Sequence, residues 1–177
     1  MKKPKRAKEI LVGLLIITIM FTGGAAFLKT QRDAKISKFK EEQALAYSQI
    51  SKATQELRTV SEKINQSIIN DATEMQTIIA KMNEQNTIIK TQSDLMLKGI
   101  ESIGDNSAKI QNLAVSILVL NKSTDANTSY YQKYQKSEAI SSDSQQFKLE
   151  TANALKNNNT IINNFNTMKV DYDQTIN

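Results

Sequence analysis

The chain has 177 residues, the size of one domain or one elongated module, and contains no His, Cys or Trp, one Pro and five Gly. That inventory excludes imidazole relays, thiolate nucleophiles, Cys/His zinc sites and disulfides, and aromatic residues at 6% leave little material for a compact globular core. The net charge of +5 is local: Lys2, Lys3, Lys5, Arg6 and Lys8 carry it, residues 9–177 balance 18 Lys/Arg against 18 Asp/Glu, and no basic face for nucleic acid is expected.

Residues 1–9 read as a basic cytoplasmic tail. Residues 10–28 follow as an uncharged, mostly apolar run which as a helix would extend about 28 Å, close to the roughly 30 Å hydrocarbon core of a bilayer. We therefore expect a transmembrane signal-anchor over 10–28. The order basic, apolar, small also fits a cleaved signal peptide, with Gly24, Ala25 and Ala26 at a cleavage site near Ala26 and secretion as the outcome. Continuation of the apolar run through Phe27 and Leu28 favours the anchor. The two flanks carry equal positive charge, since Lys29, Arg32, Lys35, Lys38 and Lys40 follow the run. A short, highly cationic tail resists translocation, so the N-terminus is expected in the cytoplasm and residues 29–177 outside it. The five downstream cations are candidates for lipid head-group contact, each contributing about 1 kcal/mol at an anionic surface, or are an ordinary solvated helix start.

Between Ala25 and Lys98 there is neither Gly nor Pro, and periodicity decides the structure. Apolar residues recur at spacings of three and four through Ile36, Phe39, Ala46, Ile50, Ala53, Leu57, Val60, Ile64 and Ile68. After a stutter at Ile64–Ile68–Ala72 the register resumes through Met75, Ile79, Met82, Ile89, Met96, Ile100 and Ile103. Gln43, Asn86 and Ser93 are polar members of that seam. Gly104 can end a helix in the left-handed conformation, and Asp105 or Ser107 can cap the next. A second seam runs through Ile140, Phe147, Ala154, Ile161, Phe165, Met168 and Tyr172, with Ser144, Thr151 and Asn158 at core positions.

The expected fold is all-α: the transmembrane helix, then a coiled-coil hairpin over 29–177 with a helix at about 30–103, a turn at 104–107 and a helix at about 108–176. Each long helix would measure about 105–110 Å. The polar stretch Asn121–Ser129 is a rival turn, because its residues favour caps and loops and the register is weakest there. A two-helix hairpin with so many polar seam residues buries little apolar surface, so homo-oligomerisation or a protein partner is expected to complete the core.

The strongest candidate site is Leu113, Val115, Ile117, Leu118, Val119 and Leu120, within a run apolar on every face and too short to span a bilayer. It reads as a docking surface, a membrane-active tip near the far end of the hairpin about 100 Å from the anchor, or a stretch buried in an oligomer. Tyr130, Tyr131 and Tyr134 suit an interface or fill the seam. Asn121–Gln132 imitates a calcium loop but has Ala126 where Gly is needed and Gln132 where Glu is needed. The pairs Glu41–Glu42 and Asp171/Asp173 read as solvated charge. No metal, cofactor or catalytic residue is expected, because no phosphate loop or nucleophile elbow occurs and two long helices form no enclosed site. The functional expectation is a non-enzymatic, membrane-anchored scaffold or adaptor at a bacterial or phage-related cell envelope, on a composition rich in Ile, Lys and Asn. The alternatives are a membrane-active, pore-forming protein and a sensory ectodomain.

Overall fold

The computed structural model describes the backbone of residues 5–65, 72–135 and 145–176, and within these the side chains of residues 28–65, 74–132 and 148–176. The described residues form four helices and no strand: α1 Lys5–Asn65, α2 Ala72–Ile103, α3 Ala108–Gln135 and α4 Gln145–Ile176. The chain divides into two compact units, residues 1–39 and 40–177.

In the first unit the described side chains from Leu28 to Lys38 are exposed apart from the half-buried Ile36, and Phe39 is buried. Among the described residues no helix is long and apolar enough to cross a membrane. The expected span over 10–28 falls, except for Leu28, outside the residues whose side chains are described.

The second unit packs its four helices antiparallel to their neighbours. Gln43 Nε2 donates to Met96 O (3.1 Å) and Lys81 bridges Glu56 (2.9 Å), which sets α1 against α2 head to tail. Lys90 reaches Asp125 and Asn121 Nδ2 reaches Asp94, reversing α3 on α2. Thr175 Oγ1 donates to Lys109 O, and Asn127 Nδ2 to Asn158 Oδ1, reversing α4 on α3. Lys40 Nζ donates to Ile176 O (2.9 Å), and Tyr47 stacks on Tyr172 with ring centroids 4.1 Å apart, closing α4 onto α1. Successive antiparallel neighbours of this kind are the up-down topology of a bundle.

This corrects the expected hairpin of two unbroken helices. The chain doubles back between α1 and α2, and again between α3 and α4, so one chain contributes four helices to the interior. Ile50, Leu57, Met82, Ile89, Leu113, Ile117, Leu120 and Ile161 are fully buried, each stabilising the fold by about 1.5–3 kcal/mol through removal of its side chain from water. A seam of alternating three- and four-residue steps looks the same in a continuous coiled coil and in a folded-back bundle, because it specifies a face and not what covers it.

Gly104 takes φ 66° and stands in open space between α2 and α3, a backbone conformation favourable to glycine. Asp105 Oδ1 accepts from Ser107 N (2.8 Å), and Ser107 O accepts from Gln111 N (3.0 Å) as the first bond of α3. The rival turn at Asn121–Ser129 is instead helical and lies inside α3. Two of its hydroxyls are satisfied on the preceding turn, with Ser123 Oγ and Thr124 Oγ1 both donating to Leu120 O (2.8 Å), which lessens the competition that would otherwise open a turn.

Candidate interaction surface

The apolar run of α3 divides by helical phase. Leu113, Ile117 and Leu120 point inward and are fully buried, so they are core and closed to a partner. Val115, Leu118 and Val119 lie on the outer side and are 59%, 54% and 48% exposed. Val115 and Val119 border a groove of about 260 Å³ between α3 and α4, whose other walls include Asn112, Ser116, Asn164, Thr167 and Asp171. A cluster of valyl and leucyl side chains on an amide-rich rim can hold an apolar side chain of another protein. The α2–α3 turn, Lys40 and Ile176 lie at the same end of the unit, as the Gln43–Met96, Lys109–Thr175 and Lys40–Ile176 contacts require. The apolar run therefore begins within two helical turns of the start of α3, not at the tip of a 100 Å rod.

The tyrosines behave differently from one another. Tyr131 is fully buried in the seam, where its hydroxyl donates to Asn158 Oδ1 (3.2 Å) and approaches Ala154 O (3.4 Å). Asn158 Nδ2 in turn donates to Ser61 Oγ (3.1 Å), and Asn127 Nδ2 donates to Asn158 Oδ1 (3.3 Å), so three helices share one amide. Burial pushes the Tyr131 phenol well above its ordinary range. Tyr130 is half-buried, with its ring edge-on to Tyr131 and its hydroxyl on the Glu150 carboxylate and the Glu150 backbone oxygen. Its phenol is also pushed up, first by burial and then by the Glu150 hydrogen bond. Tyr131 is a packing element of the interior, and Tyr130 packs against it at the edge of the core. The Tyr134 side chain lies outside the described residues.

Lys29, Arg32, Lys35, Lys38 and Lys40 are all exposed, and Lys40 is committed to the Ile176 carbonyl. Glu41, Glu42 and Asp173 are exposed and Asp171 half-buried. Among the described residues no group of three or more His, Cys, Asp or Glu is placed to hold a metal ion. The stretch that imitated a calcium loop is helix, with Asn121, Thr124 and Asn127 turned into the core.

Sequence pattern alone did not single out Leu45 and Leu95, which are 63% and 51% exposed. They line a groove of about 410 Å³ between α1 and α2 with Ala46, Gln92 and Lys98. A second opening of about 750 Å³, lined by Lys52, Ala53, Glu56, Lys81, Glu84 and Ile88 among others, shares Gln92 with it. The signal that could have found them is positional: each leucine immediately precedes a seam residue, Ala46 and Met96, and so flanks the core face. Glu56 here has its carboxyl held below the usual range by the hydrogen bond from Lys81. No protein family, no curated protein and no solved structure matches this chain.

Proposed function

We propose that the protein is a non-enzymatic, single-pass membrane-anchored scaffold whose helical bundle docks other proteins at a bacterial or phage-related cell envelope. The observation that carries the docking role is the exposure of Val115, Leu118 and Val119 on a helix whose inward face is already filled. A monomeric surface gains nothing from three neighbouring large apolar side chains in water, and such clusters mark binding sites. The anchor rests on residues 10–28, an apolar run of spanning length behind a cationic tail, carried by the helix α1. A scaffold also suits a bundle without an enclosed polar cleft among its described residues.

The membrane-inserting alternative is less well supported, because an apolar wedge made of the whole run would have to draw Leu113, Ile117 and Leu120 out of the core. The bilayer would shelter those side chains from water, but their vacated core positions would stay unpacked, and truncating a single buried leucine or isoleucine already costs about 2–5 kcal/mol.

The test exploits the missing cysteines. Asn106→Cys places one thiol in the exposed turn between α2 and α3. Cells are labelled intact with a membrane-impermeant maleimide and then fractionated. Labelled protein in the membrane pellet is the expected outcome. Labelled protein in the medium means cleavage near Ala26, and labelling only after lysis puts the bundle in the cytoplasm; either overturns the topology. Docking is tested separately, by Leu118→Asp, which should abolish co-purification of envelope partners while helicity is retained.

A further inference from the structure

The groove between α1 and α2 carries a pattern that the α3 surface and the anchor leave unused. Its two openings share Gln92 and together are lined by residues from Glu42 to Glu56 on α1 and from Lys81 to Ser102 on α2. The Gln43–Met96 and Glu56–Lys81 contacts fix the register, and with it which residue of α1 stands level with which residue of α2. Glu42 stands level with Lys98, Leu45 with Leu95 and Gln49 with Gln92. Lys52 lies within one turn of Glu84, and Glu56 is bonded to Lys81 at 2.9 Å. At each of these levels the two rims of the groove carry either opposite charges or the same uncharged chemistry.

We propose that this face is a homodimer interface, on which a second copy of the chain docks in parallel with α1 of each copy lying on α2 of the other. A twofold axis along the groove exchanges its two rims without changing level, so each complementary pair within one chain becomes a complementary pair between chains. Such an isologous contact needs a surface that is its own complement. A twofold axis across the groove lays α1 on α1 and reverses the levels about Gln49, which puts Glu42 against Glu56 and Lys98 against Lys81. Those are like-charge contacts, and they disfavour that register.

The centre of the parallel interface is Leu45 and Leu95, the two large apolar side chains that line the groove in water. Buried Ala46 and Ala53 keep its floor low enough for a neighbour's side chains to enter, with half-buried Ile88 beside them. The α2 stretch from Lys81 to Ser102 is about 32 Å long, and a two-helix face is about 20 Å wide. The pair of copies would bury roughly 1,300 Å² in total, within the range of about 1,200–2,000 Å² for stable interfaces. The contact does not depend on the anchor, although two parallel copies could both be held by their N-termini in one bilayer.

The experiment uses the full chain in detergent micelles. Differently tagged Leu45→Cys and Leu95→Cys chains are mixed and oxidised, and the expected product is a mixed-tag disulfide dimer. Leu45→Asp combined with Leu95→Asp should halve the protein mass per micelle measured by light scattering while leaving helicity unchanged, since both side chains are exposed in the single chain. A monomeric parent protein overturns the proposal. So does a dimer that survives both aspartates, or one in which Gln49→Cys cross-links to itself in place of the mixed pair, which reports the antiparallel arrangement. If the aspartates unfold the chain, the cysteine pairs decide alone. A parallel dimer formed by protein recovered from the medium would leave this inference standing while removing the membrane anchor.

Discussion

Two stretches of α3 invert the usual relation between polarity and burial. Residues 113–120 are apolar at every position but Ser116, yet Val115, Leu118 and Val119 stand about half in water. Residues 121–131 contain Asn121, Thr124 and Asn127 and bury all three. Leu118 is 54% exposed and Asn127 is 2% exposed on the same helix. Phase accounts for the reversal. Leu113, Ile117, Leu120, Thr124, Asn127 and Tyr131 follow one another at steps of four and three, so a single seam runs through both stretches. Position on the helix decides burial, and the side chain's polarity decides only what that burial costs.

The largest effect should come from the apolar stretch. Ile117→Ala is expected to cost about 2–5 kcal/mol in denaturant unfolding, while Leu118→Ala stays within about 0.5 kcal/mol. Equal losses at the two positions would break the comparison. Next comes the shared amide. Asn158→Ala leaves its partners Ser61, Asn127 and Tyr131 short of a hydrogen bond, at about 1–3 kcal/mol for each group left unsatisfied, and a neutral result would mean the cluster contributes nothing.

A smaller effect of opposite sign is expected at Asn86, which is fully buried with neither amide atom hydrogen-bonded. Asn86→Leu should raise stability by roughly 1 kcal/mol, and a loss would show that the amide has a role the fold needs. The smallest effect at neutral pH concerns the phenols. Tyr130 and Tyr131 are both pushed above the ordinary value of about 10, so the unfolded chain loses these protons first as pH rises. Their contribution is intact below pH about 10 and is lost above it, so the melting temperature should be flat through neutrality and fall on the alkaline side. Tyr131→Phe should lessen that fall, and an unchanged slope would separate the phenol from the alkaline transition.

Much of the helical architecture was legible in the sequence. Scarce Gly and Pro and sustained steps of three and four required helices, and Phe39, Ile50, Leu57, Met82, Ile89, Met96, Ile161 and Met168 are buried where that pattern puts them. The two additional reversals were not legible. The stutter at Ile64–Ile68–Ala72 reads as local unwinding of one coil, since no Gly or Pro marks a stop there. The polar occupants Thr124 and Asn127 concealed the seam from any reading based on hydrophobicity, which made a helix look like a turn. Of the candidate surface, the run in α3 was legible as a stretch but not as two faces, because an all-apolar sequence carries no amphipathic phase of its own. Leu45 and Leu95 each flank a seam residue in the sequence, but the groove they line together needed the register between α1 and α2, which no single helix encodes.

The hydrogen bond from Lys40 to the Ile176 carbonyl has a mechanical consequence. It brings the beginning of α1's share of the bundle and the last turn of α4 to the same end of the unit. A load applied between those two points would peel α1 from α4 one turn at a time, beginning at Lys40 and passing the stacked Tyr47 and Tyr172, instead of shearing every contact at once. The bundle would therefore yield to a gentle pull between its ends, and a pull from Gly104 against Asn65 would meet the whole length of α2 in shear.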